Sequence, residues 1–367
     1  MARRSRPFSL SALTRAYQRN LKAFEKAAKP MRAQAVTALR AVPQLAKAAK
    51  LPRVPGGVPR PRRYRPASGD WLAGIAPGPA GARRFHLYTP PGPALQPGEA
   101  MPLLVMLHGC GQTGSDLAAS SRMNRLAARK GFLVLYPEQE RVANAHGCWN
   151  WFDRRSGKAQ AEAATLLAAV DQVARRHPVD LTRVAVAGLS AGASMAALLG
   201  ATYPERFRAV VMHSGVAPGT AESAATAMAA MHGKREAHLP DPPGASALFP
   251  GMRIDGTPLP RLPALMVLHG DADHVVSLRN ATATAALWAQ ALGAREGAAR
   301  MQQRGQRHAM RVTEYRLRSR TAVALREIVG LGHAWSGGTA GMPFSDPAGP
   351  DASALVWAFV SKQFEQK

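Results

Sequence analysis

Residues 183–187, Arg183-Val184-Ala185-Val186-Ala187, are an apolar strand-like run that passes directly into Gly188-Leu189-Ser190-Ala191-Gly192 and then into an Ala/Leu-rich helix to about Thr202. G-x-S-x-G between a strand and a helix has a physical reading. The turn is so tight that its flanking positions must be glycine, and it holds the serine hydroxyl above a sheet at a helix N-terminus. Roughly 0.2 matches to the bare pattern arise by chance in a chain of this composition, so the strand-turn-helix context carries the reading.

Working outward, the same alternation of strand and helix recurs. Arg83-Arg84-Phe85-His86-Leu87-Tyr88 alternates as an edge strand does, and Pro102 to Leu107 is a continuous apolar run that ends at His108-Gly109. A helix is predicted from about Ser115 to Lys130, a strand over Phe132 to Tyr136 stopped by Pro137, and a helix from about Gln160 to Arg176. This order predicts an α/β fold with a mostly parallel sheet covered on both faces.

A serine nucleophile needs a base to take its proton and an acid to orient that base. In this chain order the acid and then the histidine follow the serine. The apolar run Leu262 to Leu268 ends in His269-Gly270-Asp271-Ala272-Asp273, which offers Asp273, with Asp271 as a rival two residues away. The strand Ala322 to Val329 is followed by Gly330-Leu331-Gly332-His333, which offers His333. His108, His213, His269 and His274 fit the role less well. Backbone N–H donors for an oxyanion are expected from Ala191, just after the serine, and from Cys110, on the loop after the first buried strand.

Composition points to a second part of the molecule. The 367 residues include 48 Lys+Arg against 23 Asp+Glu, a formal charge of +25. Residues 1–65 hold seventeen of the basic residues and a single acid, Glu25. Leu10, Leu13, Tyr17, Leu21 and Phe24 make one apolar stripe on a helix whose other faces carry Arg15, Arg19, Lys22 and Lys26, and Pro30 ends it. A Pro/Gly/Arg-rich linker runs from Pro52 to Pro66. We therefore divide the chain into a basic helical or disordered extension, 1–65, and a catalytic domain, 70–367. The extension suits an anionic or amphiphilic surface or a solvated tail, with no specific nucleic acid as partner. Basic residues break every apolar run in the first 50 positions, so no secretory signal is read despite Arg3-Arg4, and the expected location is cytoplasmic, with secretion as the alternative. With 46% hydrophobic residues the chain can bury a core, and two cysteines exclude a disulfide framework.

The motifs together resemble those of short-chain poly(3-hydroxybutyrate) depolymerases with the type 1 catalytic domain, a family that includes feruloyl and acetyl xylan esterases. The resemblance rests on Leu107-His108-Gly109-Cys110-Gly111-Gln112-Thr113, Tyr136-Pro137-Glu138-Gln139, Cys148-Trp149-Asn150-Trp151-Phe152, the serine turn, His213-Ser214-Gly215, His269 to Asp273, and Gly332-His333-Ala334-Trp335-Ser336-Gly337-Gly338. It implies an α/β-hydrolase fold, the triad Ser190, Asp273 and His333, and the Cys110 main chain in the oxyanion hole. It also implies that Asn144 and Trp149 line the substrate cleft, although by sequence alone Trp149 reads as a core or rim aromatic, and that Cys110 and Cys148 are bridged. Such a bridge conflicts with a reducing cytoplasm.

The expected activity is hydrolysis of poly(3-hydroxybutyrate) or its oligomers, without metal or organic cofactor. Alternatives are a feruloyl or acetyl xylan esterase, or a granule- or nucleic-acid-binding protein on an inactive hydrolase scaffold. With no binding domain read after the hydrolase motifs, amorphous granules or oligomers are the expected substrate, and the extension an expected granule anchor. Residues 217–260 have little periodicity and lie where such folds insert substrate-selecting segments.

Overall fold

The computed structural model describes residues 68–365 except 93–95, 97, 242–243 and 247–250. The basic extension, with the amphipathic helix expected in it, lies outside the described residues. The remainder falls in one unit, Tyr64–Lys367.

The apolar runs become the middle of the sheet. Strands β1 (Asp70–Ala76), β2 (Arg83–Thr89), β3 (Met101–Leu107), β4 (Leu133–Pro137), β5 (Val179–Leu189), β6 (Ala209–His213) and β7 (Ala264–Gly270) are joined by β8 (Arg295–Glu296), β9 (Arg300–Gln302), β10 (Met310–Leu317) and β11 (Arg320–Ile328). The sheet order is β1-β2-β4-β3-β5-β6-β7-β11-β10-β8, with β9 also on β10. The six strands from β4 to β11 are mutually parallel, while β1, β2 and β10 run antiparallel to their neighbours. Parallel strands need crossovers, and helices α1 (Gly114–Ser121), α2 (Met123–Lys130), α3 (Lys158–Arg176), α4 (Ala191–Thr202), α5 (Ala224–Met231), α6 (Arg279–Leu292) and α7 (Ala352–Phe364) supply or flank them. One core layer joins α3, α4 and α6 to the sheet through residues such as Leu166, Ala196 and Trp288. The other joins α1, α2 and α7 through Leu117, Leu126 and Phe359.

Two expectations are corrected. The single helix over 115–130 is two helices, because Arg122 takes a left-handed φ of 57° and its N–H closes the end of α1 on the Ala118 carbonyl at 3.1 Å. β2 is not an edge strand, since β1 pairs along all of it. β1 itself has no clean alternation: it is an edge strand with Leu72 and Ile75 exposed, and Gly74 sits where a Cβ would stand 2.3 Å from the Phe85 ring. Segment 217–260 contains α5, tied to α6 by Asn280, whose Nδ2 donates to Ala230 and Met231 carbonyls at 3.1 and 3.0 Å and whose Oδ1 accepts from Ala217 N–H at 3.1 Å.

Candidate active site

The C-terminal ends of β5, β6, β7 and β11, neighbours in the sheet, carry Ser190, His213, the loop to Asp273, and the loop to His333. This edge is where open parallel sheets place their ligands.

Ser190 has φ 57° and ψ −120°, a conformation costly for a residue with a Cβ. Its neighbours make that turn possible by being small. A Cβ on Gly188 would meet the Gly192 carbonyl at 2.3 Å, and one on Gly192 would meet the Leu107 oxygen at 2.2 Å. The glycines are therefore required for close backbone approach, since neither has a positive φ. The Ser190 N–H donates to the His213 carbonyl at 2.9 Å.

Asp273 is buried. Its Oδ1 accepts the Val275 and Val276 amides, both at 2.9 Å, and its Oδ2 accepts His333 Nδ1 at 2.7 Å. His269 Nε2 lies 3.4 Å from the same Oδ2 and 2.8 Å from the Val276 carbonyl. Burial pushes the Asp273 carboxyl up, but hydrogen bonds from His269 and His333 outweigh it and hold the group well below the usual carboxylate range. Asp271 is used elsewhere: exposed, it accepts the Gly330 N–H at 2.7 Å. Of the two acids, Asp273 is the one that meets His333. That bond fixes the proton on Nδ1 and leaves Nε2 as the basic nitrogen of His333.

His213 and His269 were not expected to matter. His213 is fully buried, and its Nε2 accepts the Ser336 N–H at 3.2 Å while Nδ1 lies 3.2 Å from Ser214 Oγ. An accepting Nε2 places the proton on Nδ1, which donates to that hydroxyl. Burial first, then the nearby His269 and His333, bring its pKa down to about 3, so the ring is neutral at neutral pH. The ring also stacks on Trp335 at 5.2 Å. The motif His213-Ser214-Gly215 was visible in the sequence, but the contact across 123 residues was not.

The loop after β3 closes over the serine. A Cβ on Gly109 would stand 3.4 Å from that of Ser190. Gly109 N–H donates to Gln112 Oε1 at 3.0 Å, Gln112 N–H to the Gly109 carbonyl at 3.2 Å and Gly111 N–H to the His146 carbonyl at 3.0 Å. The Cys110 amide is the one in this turn without an acceptor among the described residues. Ala191 opens α4, so its amide has no acceptor within the helix. Cys110 is disulfide-bonded to Cys148. His108, buried and with its pKa lowered by burial, accepts the Gln139 N–H on Nε2 at 3.1 Å.

The two residues expected to line the cleft make contacts that support this loop. Trp149 has no exposed surface, and its Nε1 donates to the His108 carbonyl at 3.0 Å. From there the indole braces the loop from within the core. Asn144 is half-buried; its Nδ2 donates to Asn150 Oδ1 at 2.9 Å and its Oδ1 accepts the His146 N–H at 3.0 Å. Asn150 in turn donates to Glu162, a buried carboxylate that also takes Gln139 Nε2 at 2.6 Å and Arg83 at 3.3 Å.

Over 186 residues, half of this chain and 43% of the relative, the sequence is 33% identical to poly(3-hydroxyalkanoate) depolymerase C of Paucimonas lemoignei. It is 30% identical over 218 residues to feruloyl esterase B of Neurospora crassa, covering 57% of this chain and 70% of that one. The chain thus spans under half the length of the first relative. Among solved structures, an acetyl xylan esterase from Aspergillus awamori superposes with a TM-score of 0.59 over 80% of this chain and 99% of that chain, at 20% identity, a likeness of α/β-hydrolase fold. The model of the esterase PHB depolymerase family matches residues 83–308, and the chain belongs to that family.

Proposed function

We propose that this protein is a serine carboxylic ester hydrolase that acts on poly(3-hydroxybutyrate) or its oligomers. The single observation that carries the chemistry is the buried Asp273–His333 pair at 2.7 Å on the sheet edge that also bears the strained Ser190. In the reading it supports, His333 Nε2 takes the Ser190 proton as the serine oxygen attacks the ester carbonyl. The amides of Cys110 and Ala191 stabilise the oxyanion. His333 then protonates the departing alcohol, Asp273 offsets the charge on the imidazolium, and water cleaves the acyl-enzyme by the same route.

The depolymerase and feruloyl esterase relatives share this machinery, which says little about acyl and alcohol pockets. Substrate therefore separates the readings. The purified protein should release hydroxybutyrate from amorphous polymer granules, run beside methyl ferulate and acetylated xylan. Ser190→Ala should lower turnover on the order of 10⁶-fold. Activity on the sugar esters alone would move the function to plant-polymer deacylation, and equal activity of Ser190→Ala would overturn the serine mechanism.

The excess of sixteen positive charges over residues 1–65 supports a role as an anchor to a granule or other anionic surface, in the cytoplasm or outside it. The Cys110–Cys148 bridge bears on location, because an oxidising compartment retains it and a cytoplasmic protein must shield it. Cys148 is buried and Cys110 half-buried, which supports shielding. Thiol titration of the native and the unfolded protein, taken from its host, tells the two apart.

A further inference from the structure

Residues 66–367 carry nine net positive charges, and seven of them come from residues 295–326. That stretch holds nine arginines, no lysine, and only Glu296 and Glu314 as acids. It is β8, β9, β10 and most of β11, the antiparallel end of the sheet. Crowding like charges works against the folded state, and the crowding is visible here. Register puts Arg300, Val312 and Arg326 in one cross-strand row. Burial first, then repulsion from Arg300 and Arg304, lowers the pKa of Arg326, whose buried Nε has no acceptor among the described residues. Glu314 lies beside them and already takes Arg300 at 2.9 Å and Arg316 at 3.0 Å, while Glu327 pairs with Arg311 at 3.7 Å.

Around the sheet end the charge continues. The β10–β11 turn holds Arg318 at φ 55°, a left-handed conformation disfavoured for any residue with a Cβ. Together with Arg261 and Arg320 it lines a recess of about 240 Å³ whose other lining includes Leu262, Leu292 and Leu317. On β9, between Arg300 and Arg304, Met301 is 60% exposed.

These features select a partner. Guanidinium forks match pairs of phosphate oxygens, and an exposed apolar side chain set among arginines suits the boundary between headgroups and acyl chains. A single-stranded nucleic acid would want exposed aromatic rings to stack on, whereas Tyr315, the one aromatic of residues 295–326, is buried. We infer that the β8–β11 edge of the sheet is a second cationic docking surface, met edge-on by an anionic phospholipid surface that Arg300, Arg304 and Arg318 hold, with Met301, on the other side of edge strand β9 from Arg300, entering the headgroup layer. The surface lies in residues 295–326, outside the extension in sequence, and the inference is independent of the ester-hydrolase reading.

The test is co-sedimentation of the full chain with vesicles of phosphatidylglycerol and phosphatidylcholine in equal parts, against phosphatidylcholine alone. Arg15, Arg19, Lys22 and Lys26 are first changed to Gln so that the extension does not mask the face. In that background Arg300→Gln with Arg304→Gln and Arg318→Gln, which leaves Glu314 paired to Arg316, should weaken vesicle binding on the order of a hundredfold, about fivefold per charge. Met301→Ser should weaken it severalfold with no change in charge. An unchanged thermal melt and unchanged hydrolysis of a soluble ester show that the fold and the site are intact. Vesicle binding unaffected by the arginine substitutions would overturn the proposal. So would a loss shared equally by duplex DNA binding together with a silent Met301→Ser, which would make the face a general polyanion binder.

Discussion

The main-chain N–H of Ser336, three residues beyond His333, donates at 3.2 Å to the buried Nε2 of His213, whose own carbonyl accepts the Ser190 amide. One residue at the end of β6 thus braces the turn of the nucleophile through its backbone and the loop of the base through its ring. His213→Leu should leave the Ser336 amide unpaired, at a cost of about 1–3 kcal/mol in stability. It should also lower kcat 10- to 100-fold, on the order expected when reacting groups are misplaced by about 1 Å. His213→Gln, which offers an oxygen near the position of Nε2, should recover most of both. Steady-state kinetics and thermal melts check this, and equal damage from Leu and Gln would refute it.

Acid should destabilise the protein in two stages. His213 has a folded pKa of about 3 against about 6.5 when unfolded, so below pH 6.5 the unfolded chain takes up a proton that the folded one refuses. Its contribution is complete above pH 6.5 and shrinks as the pH falls towards 3, by up to about 5 kcal/mol. Asp273 has the opposite charge type but the same direction: its depressed pKa gives stability that is present above its unfolded value, near 3.9, and lost as the pH falls further. Urea titrations at pH 7, 5 and 4 should show a shallower decline for His213→Gln than for the unsubstituted protein.

Asp273→Asn keeps the size of the side chain but presents an N–H₂ or a neutral oxygen to His333. The imidazole then loses both its proton anchor and its counter-charge, and kcat should fall on the order of 10⁴-fold with the fold intact. Asp271→Asn, at a residue bonded to Gly330 rather than to His333, should leave kcat within a few-fold. Comparable losses from the two would contradict the assignment of the acid.

Glycine substitutions should separate steric need from conformational need. Gly192→Ala drives a Cβ into the Leu107 carbonyl at 2.2 Å, with backbone on both sides, and should abolish soluble folded protein. Gly111→Ala meets no atom within 4 Å and suffers only from its φ of 72°, so a loss of about 1 kcal/mol is expected. Expression yield and melting temperature read the difference.

Glu162 is nearly inaccessible and gathers Arg83, Gln139 and Asn150 behind the disulfide loop. Glu162→Leu should strand those partners and cost about 3–5 kcal/mol. Guanidinium denaturation measures it; a change under 1 kcal/mol would mean that water replaces the carboxylate.

The parallel sheet was legible because each central strand is buried on both faces, so its sequence is a plain apolar run such as Leu103 to Leu107. The serine turn was legible because close backbone approach leaves only glycine at 188 and 192. β1 escaped notice because an edge strand needs no alternation, and the break at Arg122 because a left-handed arginine carries no compositional mark. Spacing left Asp271 and Asp273 as rivals on one loop; only the path of the loop separates Gly330 from His333 as their partners. The roles of His213 and Glu162 depend on contacts between distant segments, which local patterns do not encode.

The side chain of Asn280 fastens both ends of the 217–231 stretch to the start of α6, immediately after the loop that carries Asp273. Ser277 adds to this by donating its N–H to the Met231 carbonyl at 2.9 Å. Anyone exchanging α5 for the corresponding segment of a relative, to alter which esters are accepted, would be cutting through this knot. A chimera that transplants residues 216–231 alone should upset the acid loop, whereas one that carries 216–281 as a single cassette brings its own fastening with it.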